Sequence, residues 1–212
     1  LKLWQKMELE IAAQDLHSVF NMETKLFPCL IDMRFKGVRV DIERANLIKK
    51  NLIDQENKLL HKIKHLSGID VELWAASSIA KAFDALQLPY DKTEKTGAPS
   101  FTRNFLANHP HELAKAIADA REINKAHTTF IDTITKHAVK GRIHADINQI
   151  RSDQGGTVTG RFSMSNPNLQ QLPARHPELG PLIRSIFIPE DKHHWGTFDY
   201  SQQEPRLLVH YA

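Results

Sequence analysis

An α+β architecture, with a long antiparallel helical arm followed by the start of an antiparallel sheet, follows from three features of the chain. Two stretches, residues 42–66 and 112–136, carry apolar residues at the three-and-four spacing of a helix face. A shorter helical stretch and one polar loop lie between them, which suits two long helices returning antiparallel. Beyond about residue 140 the sequence changes to short alternating runs broken by glycines, as strands and loops require.

The first predicted helix covers residues 2–20, with Leu3, Met7, Ile11, Ala12 and Phe20 on one face. An apolar run, Leu26 to Met33, then leads to a turn at Gly37. Cys29 is the single cysteine, which excludes an internal disulfide, and Leu26, Phe27, Leu30 and Ile31 around it predict a buried thiol. Asp41 is an N-cap for the first long helix, whose inward positions Ile42, Ala45, Ile48, Leu52, Leu59, Ile63 and Leu66 leave a gap at Gln55. Gly68 stands where a C-terminal cap belongs. The polar face sets Arg44, Lys49, Lys50, Lys58, Lys62 and Lys64 against Glu43, Asp54 and Glu56, either a solvated face or one that meets phosphates.

A shorter helix over 78–86 ends at Leu88 and Pro89, and Asp91 to Ser100 is the one long polar loop. The second long helix turns Leu113, Ile117, Ala120, Ile123, Phe130 and Ile134 inward. Gly141 to Asn148 alternates as one strand, with Ile186 to Ile188 and Thr197 to Tyr200 as further short strands. Pro205 suits the first turn of a last helix over 206–212, where its missing N–H costs nothing. These readings divide the chain into a connecting helical segment (1–24), a helical arm (25–140) and a sheet-bearing part (141–212).

Composition narrows the function. A net charge of +3 and a pI near 8.9 permit nucleic-acid binding without requiring it. No apolar run approaches the ~20 residues of a membrane span, so no membrane partner is expected. The amphipathic opening LKLWQKMELE is unlike a secretory signal, and the lone cysteine suits a reducing cytoplasm. The twelve histidines are scattered and lack zinc-like spacing with cysteine. His144 and Asp146 share one strand face, His193 and His194 fall in an exposed charged hairpin, and Ser163 and Ser165 lack a nearby histidine. Gly155 to Gly160 lacks the lysine and following helix of a phosphate-binding loop.

The chemistry-bearing candidates are Asp199, closing an apolar strand, and Glu204, opening a helix five residues on. A strand-end aspartate on a rigid scaffold is a good ligand for hard magnesium. Spacing alone favours the plainer reading, with Asp199 capping a turn and Glu204 capping the helix.

The stretch Asp199–Ala212, DYSQQEPRLLVHYA, resembles the first palm motif of family A (polymerase I type) DNA polymerases, commonly DYSQIELRVLAHLS. Thr159–Pro173, TGRFSMSNPNLQQLP, resembles that family's TGRLSSSDPNLQNIP at the right distance upstream. Lys92–Gly97, KTEKTG, is similar to the family's thumb tip, Arg121–Lys125 to the last long thumb helix, and Gly37–Asp41 to the entry of the first.

The resemblance implies a thumb over 25–140 and the N-terminal half of a palm over 141–212. It implies DNA-directed DNA polymerase activity in replication or repair, with Mg2+ as cofactor and primer–template DNA and deoxynucleoside triphosphates as partners. Asp199 matches the aspartate that binds both magnesium ions, and the carbonyl of Tyr200 helps to hold one. Tyr200, Ser201, Gln202, Gln203 and Glu204 match the nucleotide site, with Glu204 as the steric gate against a ribose 2′-hydroxyl. Arg161 matches the arginine that enters the minor groove at the primer terminus. Asn168 and Gln170 match contacts to primer–template sugars and base edges, and Gln171 and Arg175 join them on the DNA. Lys92, Thr93, Lys95, Thr96, Ser100 and Lys125 are expected to hold duplex phosphates.

Three features depart from the family. Gln203 replaces isoleucine beside the nucleotide sugar, Pro205 replaces leucine, and Trp74-Ala75-Ala76-Ser77-Ser78 replaces an asparagine-serine cap. Such variation points to a phage or prophage origin and a bacterial host cytoplasm. The fingers helix and the second palm aspartate are absent from the sequence, so the chain is expected to be a truncated piece, inactive without the remaining palm and fingers of its parent. A non-catalytic duplex-binding module or prophage remnant is the alternative. Glu204 argues against a single-subunit RNA polymerase, which carries a small residue at the gate.

Overall fold

The computed structural model describes residues 1–152, 155–174 and 176–212. The amino-terminal 36 residues form two helices, α1 (Lys2–Ala13) and α2 (His17–Lys36), where the sequence predicts one helix to residue 20 and then a separate run. The break falls at Asp15, whose φ of 53° leaves the helical region. Pro28 lies inside α2, which continues past the missing hydrogen bond and ends at Gly37. No residue of α1 is buried, and Leu30 alone is buried in α2. Cys29 is therefore exposed, against the expected buried thiol, because its apolar sequence neighbours Phe27 and Ile31 also point outward. Gly37 ends the helix with φ 64°, and a Cβ there would stand 2.7 Å from His144 Nδ1 and 2.8 Å from the Ile143 carbonyl. Only glycine fits so close a crossing.

After β1 (Val38–Arg39) comes α3 (Ile42–Ser67), with the predicted caps in place. The Arg44 N–H donates to Asp41 Oδ1 at 2.9 Å, and left-handed Gly68 donates to the Lys64 carbonyl at 2.8 Å. α4 (Ala76–Ala85) follows, and the predicted polar loop is a short hairpin of β2 (Asp91–Lys92) and β3 (Pro99–Ser100). Thr102 caps α5 (Arg103–Asn108) by accepting from the Phe105 N–H. The second long helix is α6 (Glu112–Lys125), a π-helical turn (Ala126–Ile131) and α7 (Asp132–His137).

α3 and the α6–α7 rod run antiparallel, as three cross-pairs show. Lys49 meets Asp132 at 2.5 Å, Glu56 meets His127 at 2.5 Å, and Lys62 meets Glu112. Three lysines of the predicted polar face, Lys49, Lys62 and Lys64, are thus paired, the last with Asp70. Two cores lie along the rod. The tip core gathers Ile63, Phe83, Phe101, Leu106, Leu113 and Ile117; the base core gathers Ile48, Leu52, Ile131, Ile134, Ile143 and Ile186. The π turn inserts extra backbone per turn and rotates the inward stripe. His127 and Ile131 are fully inside, whereas the predicted Ile123 and Phe130 are only half-buried.

β4 (Ala138–Val139) and β5 (Arg142–Ile143) form a hairpin, and β5 also pairs with β1, giving an antiparallel sheet in the order β1–β5–β4. This sheet joins segments on both sides of residue 140. β6 (Asp146–Asn148) pairs instead with β7 (Ser163–Ser165), so the predicted strand 141–148 is divided at His144 and Ala145 between two sheets. A 3-10 turn (Leu169–Gln171), α8 (Leu179–Arg184) and α9 (Gln203–Tyr211) complete the chain. Ile186 to Ile188 forms only a single bridge, Val40 to Phe187, flanked by backbone bonds to Arg39 and Asp41. Thr197 to Tyr200 is not a strand, since no described segment pairs with it, and Phe198 is 96% exposed. No helix among the described residues is long and apolar enough to cross a membrane.

Candidate nucleic-acid interface

The predicted DNA-facing residues fall at three levels of the molecule. At the tip, the β2–β3 hairpin presents Lys92 and Lys95 to solvent. Its turn is closed by the Thr93 N–H to the Ala98 carbonyl at 2.8 Å and by the Gly97 N–H to the Thr93 carbonyl at 2.9 Å. Thr93 and Thr96 hydroxyls share a 2.7 Å bond, so these threonines also shape the loop that carries the lysines. Ser100 is half-buried at the hairpin's foot, beside the aromatic cluster of Phe83, Tyr90, Phe101 and Phe105. Burial first, then Asp84, pushes the Tyr90 hydroxyl up.

At the waist, Lys125 is exposed above the Phe130 ring, 6.0 Å from its centroid. Phe130 also lines a cleft of about 250 Å³ together with Asn168 and Gln171. The waist lysine and the 3-10 turn are therefore brought to neighbouring surfaces although far apart in sequence.

At the base, Arg161 follows a glycine-rich loop and precedes β7. The Thr157 hydroxyl donates to the Arg161 carbonyl at 2.7 Å. Asn168 caps the 3-10 turn, its Oδ1 accepting from the Gln170 N–H at 3.0 Å. The Gln170 side chain bonds the backbone of Phe162 and Met164. Arg175 lies outside the described residues.

The segment Asp199–Glu204 is exposed throughout. The Asp199 carboxylate has no hydrogen bond or ion pair among the described residues, and Tyr200 projects into solvent. Gln202 takes a left-handed backbone, φ 52°, as the residue before α9. Glu204, in the first turn of α9, pairs with Arg161 across 43 residues of sequence. Among the described residues no three histidine, cysteine, aspartate or glutamate side chains converge as a metal centre.

Several contacts that shape these surfaces could not be read from the local sequence. Arg121 donates to the Leu73 and Phe101 carbonyls, both at 2.6 Å, and lies over the Trp74 ring; burial holds its pKa below the usual guanidinium value. Trp74, one of the departures from the family, donates to Asn124 at 2.8 Å. Asn148 grips Ser163 and Ser165 from the adjoining strand. Each acts on backbone or side chains distant in sequence, which no local motif announces.

A helical arm with a basic tip thus leads to an exposed carboxylate segment beside small antiparallel sheets. The chain aligns with the POL domain of Pol1 from M. smegmatis, solved in complex with DNA primer-template and dNTP, at a TM-score of 0.72 and 26% identity, covering 85% of this chain and 32% of that one. The chain belongs to DNA polymerase family A, whose model matches residues 43–212. It is 36% identical over 222 residues to the DNA-directed DNA polymerase of Pseudomonas phage M6, covering 100% of this chain and 33% of that protein. It is 35% identical over 198 residues to DNA polymerase I of Geobacillus stearothermophilus, covering 90% of this chain and 22% of that protein. The chain thus spans about a third of the phage relative's length.

Proposed function

We propose that this chain is the duplex-holding and primer-facing part of a DNA-directed DNA polymerase of replication or repair. In this reading a connecting segment over 1–24 precedes a thumb over 25–140 and the first half of a palm over 141–212. The observation that carries it is the meeting of Arg161 and Glu204, which bring the two most specific motifs together in space. The M. smegmatis domain was solved with primer-template and dNTP, and the same partners are assigned here. The remaining palm and fingers belong to the rest of such a polymerase, and a phage-infected bacterial cytoplasm is its place of work.

The chain's own residues divide the labour by their chemistry. Lys92 and Lys95, with Lys125 at the waist, neutralise duplex phosphates, an attraction blind to sequence. Arg161 donates to minor-groove acceptors present at every A·T pair in either orientation, so pair shape is felt and sequence is not. Glu204 fills the space a 2′-hydroxyl would need. Family A enzymes in general use divalent metal ions. The Asp199 carboxylate and the Tyr200 carbonyl are hard oxygen donors of the kind magnesium takes, but magnesium wants about six ligands. With Glu204 committed to Arg161 and no third carboxylate converging among the described residues, these two donors do not make the site by themselves.

The test has two arms. The chain should bind a labelled primer–template duplex in fluorescence anisotropy, more weakly as salt rises. In the complete polymerase polypeptide, Asp199→Ala should abolish primer extension while leaving duplex binding. Extension unchanged in that variant removes Asp199 from the chemistry and favours a non-catalytic duplex-binding module.

A further inference from the structure

We infer that Gln170 is a positioning residue, one that sets the backbone presenting Arg161 and does not itself read the DNA. Its amide is engaged at both ends. Nε2 donates to the Phe162 carbonyl at 3.1 Å, and Oε1 accepts from the Met164 N–H at 3.2 Å. Those two backbone groups flank Ser163 in β7, and they are the donor and acceptor that a further strand would take up. The glutamine amide thus imitates one residue of a paired strand and closes an edge that would otherwise be open.

The opposite side of β7 is gripped as well. Asn148 on β6 donates to the Ser163 and Ser165 hydroxyls, each at 3.3 Å, and Ser163 Oγ also accepts from the Gly156 N–H at 3.1 Å. Asn168 fixes the 3-10 turn from which Gln170 reaches out. Arg161, the first residue before this clamped stretch, keeps its side chain 72% exposed. A rigid base and a surface guanidinium, held in this state only by the exposed Glu204 among the described residues, suit a groove-probing arginine. For Gln170 to turn toward a duplex, both of its backbone bonds would have to break together.

The inference rests on the reading of Arg161 as the duplex-facing arginine, and two measurements separate the two claims. In the first, amide hydrogen exchange of the chain without DNA reports the clamp directly. Gln170→Ala should speed exchange at Met164 by about 2- to 10-fold, the worth of one net hydrogen bond. Gln170→Glu keeps the acceptor and should stay slower than alanine. Exchange at Met164 unchanged in Gln170→Ala, or equal in the two variants, overturns the clamp.

The second is a double-mutant cycle on primer–template affinity, read by anisotropy. Gln170→Ala should weaken binding when Arg161 is present and add less than about 2-fold in an Arg161→Ala background, since its effect passes through that arginine. Fully additive losses mean that Gln170 touches DNA on its own, and overturn the inference. Unchanged affinity in Arg161→Ala sinks the functional reading of that arginine instead, while Met164 exchange still decides the clamp.

Discussion

Glu56 on α3 and His127 in the π-helical turn meet at 2.5 Å, with only 9% and 7% of their surfaces exposed, where the tip core ends and the base core begins. Asn124 donates to the other Glu56 oxygen at 2.9 Å and accepts from the Trp74 indole at 2.8 Å, so a polar seam crosses the arm. His127 Nδ1 is buried with no hydrogen-bond partner among the described residues. Removing Glu56 would leave His127 Nε2 and the Asn124 amide unbonded as well. Glu56→Ala should therefore destabilise the chain by about 1–3 kcal/mol for each group stranded in the interior. Replacing both Glu56 and His127 by leucine should cost less than Glu56→Ala alone, because only the Asn124 amide is then left without its partner. Urea unfolding of the single and double variants checks the order.

The tip hairpin makes a prediction that depends on charge count. Lys92 and Lys95 are exposed, and neither is paired with a carboxylate among the described residues. If each neutralises one phosphate, the log–log slope of duplex affinity against salt should fall by about 1 for Lys92→Ala and by about 2 for the double variant. Lys62→Ala should leave the slope unchanged, since that lysine is occupied by Glu112. Anisotropy titrations at a series of salt concentrations provide the slopes.

These two regions show what could be read from the sequence and what could not. Asp41 and Gly68 were legible as caps because capping follows from a residue's own backbone and side chain. Glu56 read as part of the polar face because its inward place is explained only by partners far along the chain, Asn124 and His127, 68 and 71 residues away. The π turn hid His127 in its turn, since a fixed 3.6-residue period cannot anticipate a change of register. Asp91 to Ser100 read as a loop because each strand of the hairpin is only two residues long. The stretch Gly141–Asn148 read as one strand because alternation is blind to which partner each half pairs with. The order of Arg161, Asn168, Asp199 and Glu204 was legible by resemblance, but the pairing of Arg161 with Glu204 and the double engagement of Gln170 are properties of the folded chain.

Acid should reveal the ties that hold the 189–194 turn to the sheet. The Glu190 carboxyl is held below its ordinary value by hydrogen bonding to Arg142, and Asp191 by hydrogen bonding to Arg39. A carboxylate whose folded pKa is depressed contributes stability above its unfolded value, about 4 for these residues, and loses it as pH falls through the folded one. Melting temperature should thus hold from neutrality down to about pH 4 and decline below it. Glu190→Gln and Asp191→Asn should each flatten that decline. A decline as steep in the double variant would show that these two ties are not its source.

The Arg161–Glu204 pair yields a prediction with opposite signs in two assays. Both side chains are largely exposed, at 72% and 74%, so water competes for them and the pair adds at most about 1 kcal/mol to folding. Glu204→Gln should hence change stability by no more than that. Duplex binding should move the other way, because the same arginine cannot serve a carboxylate and a minor groove at once. Freed from Glu204, Arg161 should bind primer–template up to about 5-fold more tightly, the fold-change equivalent of the lost pairing. The gain should vanish when Arg161→Ala is combined with Glu204→Gln. In the complete polypeptide the same substitution should keep the bulk of the gate but lose its charge, so Glu204→Ala should admit ribonucleotides more readily than Glu204→Gln. Equal ribonucleotide incorporation by the two variants would place the discrimination in charge and not in volume.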